Sequence, residues 1–290
     1  MDWRDVLVNG GLVDDRATRG PGVFEDQWLW SAASPEEEGG PKGDSGFARA
    51  PEEVTMSASI RPALQGFRND FGDQTASVKV RQSLLACGIL YALLYPIVND
   101  VIAAAMYDGY SRMSQAVSEL SAVGAPPRGF LTVLSPLFVL LLIAFGVGIW
   151  RSALGKRSIR IAGALVVAHG VMSLLWVFAP MSDRDVIAAG GATSADTMHL
   201  VLAAGTGLFV AAYVATFAIG FGWPFRLYSV LTLATALVFG RLSAQVEQVE
   251  AGDPTPYMGL LERIGMGAWL LWLVVGSLVL VRRNHAQSIA

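Results

Sequence analysis

Several ionisable side chains of this sequence border long apolar stretches, where an unpaired charge is costly and points to a functional role. Asp196 and His199 are spaced i and i+3, so they share one face of a helix, and with Glu119 they could act as acid, base or metal ligands. Helix capping and interfacial ion pairing explain the same residues without any ligand. The candidate ligand-binding residues are Asp100, Glu119, Arg128, Asp196, His199, Glu262 and Arg263, and no catalytic residue is assigned.

The composition limits the chemistry that these residues can perform. A single cysteine, Cys87, excludes a disulfide framework and a cysteine-based zinc site. There are three histidines and no H-E-x-x-H motif, so we predict no metal and no cofactor. His169 is interpreted as a histidine that is hydrogen-bonded to a neighbouring helix, with a proton relay or a cofactor ligand as the alternative. The pI near 5.6 and the lack of a basic stripe argue against nucleic acid as a partner.

The hydropathy of the chain predicts the elements that position these residues. The 290 residues are 53% hydrophobic and only 16% charged, whereas soluble domains have about 25% charged residues. The apolar residues form blocks close to the roughly 20 residues that a helix needs to cross a bilayer. Each block must be helical, because lipid offers no partners to backbone polar groups. We therefore predict an all-α, multi-pass membrane protein with six transmembrane helices, at about 83–106, 130–150, 159–179, 199–221, 227–242 and 264–281.

The cations between the blocks predict the sidedness of the bundle. The connection RSALGKRSIR, between the second and third blocks, has four cations and no acid, and Arg282 and Arg283 follow the sixth block. Because cations concentrate on the cytoplasmic side, we expect both termini in the cytoplasm and the protein in the cytoplasmic membrane. The acids after Asp73 then all fall at the opposite end: Asp100, Asp108, Glu119, Asp183, Asp185, Asp196, Glu247, Glu250, Asp253 and Glu262.

The N-terminal part of the chain has a different composition. Up to Val80 it contains fourteen acids and eight bases, with Pro, Gly and acids close together in SPEEEGGPKGDSG. Low hydrophobicity with excess charge cannot bury enough surface to fold, so residues 1–78 are predicted to be a disordered acidic tail and 79–285 the bundle. Met1 and Met56 are both possible translation starts.

The segment between the first two blocks is too polar to cross the membrane. Met113, Ala116, Val117, Leu120 and Val123 recur at helical spacing, with Ser111 as a possible N-cap and Gly124 as a stop. This pattern predicts a short amphipathic helix over 111–123, outside the cytoplasm, with Glu119 on its polar side. The helix would lie over a polar cavity or simply connect two spans.

Four stretches of sequence resemble one family. They are DGYSRMSQAVSELSAVGAPPR, the apolar CGILYALLYPIVNDVIAAAMYDGY that leads into it, MHLVLAAG, and GLLERIGMGAWLLWLVVGSL. These stretches are similar to the domain-of-unknown-function 998 family of bacterial and archaeal integral membrane proteins, over about residues 80–283. The resemblance implies a six-helix membrane protein without an assigned activity, and it supplies no chemistry.

Three functions remain open at this point. The first is a membrane protein that binds a lipid or small amphiphile in an outward-facing polar cavity. The second is a membrane-embedded hydrolase that uses Glu119, Asp196 and His199. The third is a structural or partner-binding membrane protein without a ligand, whose partners are membrane lipids and proteins that the sequence does not identify.

Overall fold

The computed structural model describes the backbone of residues 60–289 and the side chains of residues 77–286. Residues 1–59 of the predicted tail lie outside the described residues. The chain divides into two compact units, and all six spans belong to the one that contains Gln74–Ala290. Of the other unit, Leu12–Asp73, only residues 60–73 are described, and they are helical. The predicted tail boundary at residue 78 therefore falls inside a helix.

Within the described residues the fold consists of helices joined by short connections. The α-helices are α1 (Ile60–Pro96), α2 (Arg128–Arg151), α3 (Arg157–Met172), α4 (Arg184–Ala188), α5 (Ser194–Ile219), α6 (Trp223–Ser243), α7 (Val246–Ala251) and α8 (Met258–Ile289). A π-helix, Ile97–Ala103, continues α1, and a 3-10 helix, Ser173–Phe178, continues α3.

Six of these helical stretches are long and apolar enough to cross a membrane, which confirms the predicted architecture. The spans are Ser77–Ala103, Arg128–Arg151, Arg157–Phe178, Ser194–Ile219, Trp223–Ala251 and Met258–Ala286. Successive spans that each cross the membrane run in opposite directions. One end of the bundle, here called the acidic end, therefore contains the connections 104–127, 179–193 and 244–257. The opposite end, here called the basic end, contains the connections 152–156 and 220–222 and the last turns of α8.

Small residues allow the first three spans to pack closely. A Cβ on Gly163 in α3 would lie 2.6 Å from the backbone nitrogen of Trp150 in α2, so only glycine permits this crossing. In α2, a Cβ on Gly148 would lie 3.0 Å from backbone atoms of Leu84 in α1. Close backbone approach through small residues is the usual basis of helix association in lipid, where no hydrophobic driving force acts between helices.

The centre of the bundle is aromatic. Phe145, Tyr213, Phe217 and Trp272 are fully buried, and the indole of Trp269 donates a 2.6 Å hydrogen bond to the Tyr213 hydroxyl. His169 is buried here against the Tyr213 ring, with 6.0 Å between ring centroids. The predicted hydrogen bond from His169 to a neighbouring helix is absent from the described residues, because aromatic rings surround the imidazole and its Nδ1 has no partner.

Candidate functional site

The connection 104–127, here called the cap segment, differs from the helix predicted over residues 111–123. Only Val117–Ser121 is helical, as a 3-10 helix. The reason is that carbonyl groups which an α-helix would use internally accept bonds from other elements instead. The carbonyl of Ser114 accepts from Thr255 at 2.8 Å, and that of Arg112 from Arg263 of α8 at 2.9 Å. Gly124 has a left-handed φ of 89°, but the 3-10 helix already ends at Ser121, so the helix does not extend to the predicted stop.

The predicted apolar face of the cap segment is divided in the structure. Ala116, Val117 and Leu120 are buried, whereas Met113 and Val123 are about half exposed. The backbone of the segment is attached at both of its edges. Leu260 of α8 donates to the Met113 carbonyl at 3.1 Å, and Val123 donates to the carbonyl of Met181 at 2.8 Å. The cap segment therefore lies on the acidic end as a fixed layer.

Glu119 is buried beneath this layer rather than on its polar side, since only 3% of the residue is exposed. Its two carboxylate oxygens bind the guanidinium of Arg184 in α4, at 2.7 Å through Nη2 and 3.1 Å through Nε. The Ala116 backbone and the Gln115 side chain also donate to the carboxylate, at 2.9 and 3.0 Å. A paired fork of this kind is the strongest geometry that arginine and a carboxylate can adopt.

Arg184 connects Glu119 to a third part of the chain. Its Nη1 donates to the hydroxyl of Thr255 at 2.7 Å, and Thr255 is itself buried. Arg184 was not among the residues singled out from the sequence. A signal was nevertheless present, because Arg184 is the only cation between Arg160 and Arg226 and lies among acids at the end where cations are scarce.

Glu262, at the start of α8, binds the backbone of the cap segment. Its Oε2 accepts a 2.7 Å hydrogen bond from the Val117 backbone N–H, at the beginning of the 3-10 helix. A carboxylate beside the free N–H groups of a helix start is stabilised by their partial positive charge. Glu119 and Glu262 therefore hold the same short helix from two sides.

Asp100 and Arg263 form the second ion pair of the acidic end. Arg263 Nε donates to Asp100 Oδ1 at 2.8 Å, so α8 is tied to the π-helix that follows α1. The Arg263 Nη1 group donates to the carbonyl of Arg112 at 2.9 Å, and Nη2 donates to the Tyr110 hydroxyl at 2.7 Å. Burial raises the pKa of Tyr110 to about 12, although the adjacent guanidinium acts in the opposite direction.

A groove of about 230 Å³ opens beside this ion pair, between α1 and α8. Asp100 and Arg263 form its polar wall, and the Asp100 side chain is 27% exposed. The described hydrogen bonds use only one of the two Asp100 oxygens. The other lining residues are mostly apolar: Ala92, Tyr95, Pro96, Met266, Gly267 and Leu270.

Asp196 and His199 serve a different part of the acidic end. Asp196 accepts four hydrogen bonds, two from Ser182 at 2.6 and 2.8 Å and two from Thr193 at 2.7 and 2.8 Å. The His199 Nδ1 lies 3.1 Å from the Ala179 carbonyl oxygen. In the described part of the chain no hydrogen bond joins Glu119 to either residue. Asp196 and His199 thus fix the connection 179–193 against α5.

Arg128, one of the candidate ligand-binding residues, binds a backbone carbonyl. Its Nη1 donates to Ser121 at 3.0 Å, which closes the C-terminal side of the 3-10 helix. No metal-ligating group of three or more His, Cys, Asp or Glu residues occurs among the described residues. The structure therefore unites Asp100, Glu119, Arg128, Glu262 and Arg263 around the cap segment and places Asp196 and His199 apart from them.

Comparison with known proteins identifies one family. The model of the family described as "Protein of unknown function (DUF998)" matches residues 87–279, about two thirds of the chain. The match covers most of the bundle and both ion pairs. No curated protein and no solved structure matches the chain.

Proposed function

The chain belongs to the DUF998 family, and from this premise we propose that it binds the polar head of a lipid or small amphiphile in the groove beside Asp100 and Arg263. The observation that supports this function is a partly exposed ion pair on the wall of an otherwise apolar groove. An ion pair that only holds helices together is expected to be enclosed by them, without an opening beside it. Ionisable groups within membrane spans commonly mark ligand sites.

The backbone at the groove supports the same proposal. The residues from Ile97 to Ala103 form a π-helix, a rare conformation that is frequent at functional sites. Pro96 lacks a backbone N–H and so favours an irregular turn at this point. The side chain of Asn99 donates to the Tyr95 carbonyl at 2.9 Å and so satisfies a group at the irregularity. The irregular turn presents Asp100 to the groove.

The size and polarity of the groove define the class of ligand. Its volume is below the roughly 300–1,000 Å³ of sites that enclose a drug-sized molecule, so it suits a head group rather than a whole lipid. The free Asp100 oxygen is available to accept a hydrogen bond, which favours a ligand whose head group carries a hydroxyl or ammonium donor. Leu93, Ile97 and Val101 are exposed on the same stretch of helix and offer an apolar surface to an acyl chain.

The experiment is native mass spectrometry of the full chain released gently from its own membrane. Wild type is compared with Asp100→Asn, which removes the charge at constant shape, and with Gly267→Leu, which fills the groove. A Cβ on Gly267 meets no atom within 4 Å, so the added side chain takes up groove space without a clash. We expect a discrete adduct in wild type that both variants lose.

The matched control is Asp108→Asn, because Asp108 is an exposed acid of the cap segment outside the groove. It should keep the adduct. An adduct of equal intensity in all four proteins would place the ligand elsewhere. A wild type without any adduct would overturn the proposal in favour of a structural or partner-binding protein.

The proposal includes a sidedness. Because the basic end carries cations without acids, the positive-inside rule places it in the cytoplasm, together with both termini, and directs the groove toward the outer leaflet. In a Cys87→Ala background, an impermeant maleimide added to intact cells should label Asp108→Cys and spare Arg157→Cys. The opposite labelling pattern would reverse the sidedness.

A further inference from the structure

The basic end of the bundle contains cations that hydrogen bonds hold in defined positions. The Lys156 ammonium donates to the carbonyl of Gly220 at 2.9 Å, and Arg226 Nη2 donates to the carbonyl of Ile219 at 3.0 Å. Both acceptors belong to the C-terminal end of α5, where carbonyl groups lack helical partners and attract cations. Two positive side chains, one from the connection 152–156 and one from the first turn of α6, are thus fixed at one helix end.

Arg283, near the end of α8, joins this group. Its guanidinium lies over the Phe221 ring, 6.0 Å from the ring centroid, so it contacts the connection 220–222. The next residue, Asn284, is buried and donates to the Ser152 hydroxyl at 2.9 Å, which ties α8 to the connection 152–156. Arg283 is therefore placed between the two connections of the basic end.

Some polar atoms at this end have no hydrogen-bond partner among the described residues. The Arg283 Nη1 group and the Asn284 Oδ1 atom are buried without a hydrogen bond. The same holds for Nε of Arg81, one helical turn before Leu84, where α1 packs against Gly148 of α2. A buried donor without an acceptor costs about 1–3 kcal/mol, more when it is charged. Two guanidinium groups in this condition leave N–H donors open to an acceptor that the described residues do not supply.

The electrostatics lead to the same conclusion. From Gln74 to the end of the chain, all ten Asp and Glu residues belong to the acidic end, so no carboxylate side chain of this stretch can neutralise the basic end. Partial burial lowers the pKa of the Lys156 ammonium, and the nearby Arg283 and Arg226 lower it further. The positive-inside rule requires cations here, but it does not require them to be crowded together or deprived of partners.

We propose that the basic end binds a phosphate ester, with Arg283 and Lys156 as the donors that hold it. A guanidinium contacts a phosphate through paired N–H groups and an ammonium acts as a point charge, so the two side chains are complementary. Basic pockets between helix ends on the cytoplasmic side suit the head groups of anionic phospholipids, and a soluble phosphate ester has the same chemistry. This site lies at the opposite end of the bundle from the groove and is independent of it.

The test uses the full chain, delipidated in a neutral detergent and titrated with dioleoylphosphatidylglycerol or dioleoylphosphatidylcholine while native mass spectrometry counts bound lipid. Wild type should bind the anionic lipid at least about fivefold more tightly than the zwitterionic one, as expected for one cation near a membrane surface. Arg283→Gln and Lys156→Gln should each lose about fivefold in affinity for the anionic lipid. Because Lys156 is exposed, we expect Lys156→Gln to fold. This variant keeps the proposal testable if Arg283→Gln does not fold.

Matched controls exist beside each residue. Arg282→Gln and Arg157→Gln remove the same charge from exposed neighbours and should change the affinity by less than about twofold. Inorganic phosphate and glycerol 3-phosphate distinguish the two sources. Displacement of the lipid by either compound at millimolar concentration indicates a soluble phosphate ester, and retention of the lipid indicates a membrane head group. Equal affinity for both lipids, or equal losses in the controls, would overturn the proposal.

Discussion

The charged side chains at the two ends of the bundle differ in whether they have bonding partners. At the acidic end, Asp100, Glu119, Asp196 and Glu262 each accept a hydrogen bond from an arginine, a hydroxyl or a backbone N–H. At the basic end, no carboxylate of residues 74–290 faces the cations, and Nη1 of Arg283 has no acceptor. These acids of the first end are thus bound by donors of the chain itself, whereas the described residues offer the cations of the second end no carboxylate partner.

This difference indicates that the charges of the acidic end stabilise the fold, whereas those of the basic end are available to bind an anion. Buried charges that are paired and fully hydrogen-bonded hold a fold in one arrangement, and removal of one partner is expensive. Cations that repel one another weaken the fold until an anion arrives. Substitutions at the two ends should therefore change stability in opposite directions, with the larger changes at the acidic end.

The largest effect is expected from Glu119→Ala. The substitution leaves the Arg184 guanidinium, whose side chain is only 22% exposed, without its carboxylate. Loss of one partner of a buried pair typically costs about 3–5 kcal/mol. Thermal unfolding of the purified protein should show this loss, and Glu119→Ala with Arg184→Ala together should cost less than the sum of the single changes. Asp108→Ala, in the same cap segment, serves as the control at about 0.5 kcal/mol or less.

A smaller effect is expected where the cap segment contacts α8. A Cβ on Gly259 would collide with the carbonyl oxygens of Gln115 and Arg112, which are rigid backbone atoms. Gly259→Ala should therefore lower the free energy of unfolding by about 1–3 kcal/mol and speed hydrogen exchange in residues 111–116. A Cβ on Gly129, at the same end, meets nothing within 4 Å, so Gly129→Ala should leave both measurements unchanged. Equal behaviour of the two variants would mean that the cap segment is not held at α8.

The smallest effect, of opposite sign, is expected at Lys156. Its pKa is lower in the folded protein than the ordinary 10.5, so its charged form disfavours folding at neutral pH. The penalty is complete below the folded pKa and disappears as the pH rises toward 10.5. Without lipid, Lys156→Gln should be slightly more stable than wild type at pH 7, and this advantage should vanish at alkaline pH. A variant that is less stable than wild type at pH 7 would show that the Gly220 contact outweighs the repulsion.

The six spans could be predicted because hydropathy over about 20 residues is a local property of the sequence. The turn at Gly124 was predictable for the same reason, since only its own backbone conformation demands glycine. The conformation of the cap segment was not, because residues more than 140 positions away, such as Thr255 and Glu262, bind its backbone. Tertiary hydrogen bonds here override the helical pattern of the segment and leave Met113 and Val123 half exposed.

The pairing of charges shows the same limit. The sequence singled out Asp100, Glu119 and Arg263 from their depth, but depth does not specify which acid meets which base. Arg263 meets Asp100, and Glu119 meets Arg184, which does not border any of the apolar blocks. The π-helix at Asp100 could not be predicted, because no residue periodicity in the sequence indicates a π-helix. Pro96 predicts an irregularity, but a proline can cause either a kink or a change of helix type.

The separation of Asp100 from Arg263 along the chain also has a consequence for biogenesis. The two residues are 163 positions apart, whereas Glu119 and Arg184 are 65 apart. At about 5–20 residues per second, the ribosome adds Arg263 on the order of ten seconds after Asp100. During that time Asp100 has no ion-pair partner. The second ion pair can thus form only when the last span arrives. A nascent chain that stalls before Glu262 presents an unneutralised aspartate to the insertion and quality-control machinery, which distinguishes it from the finished protein.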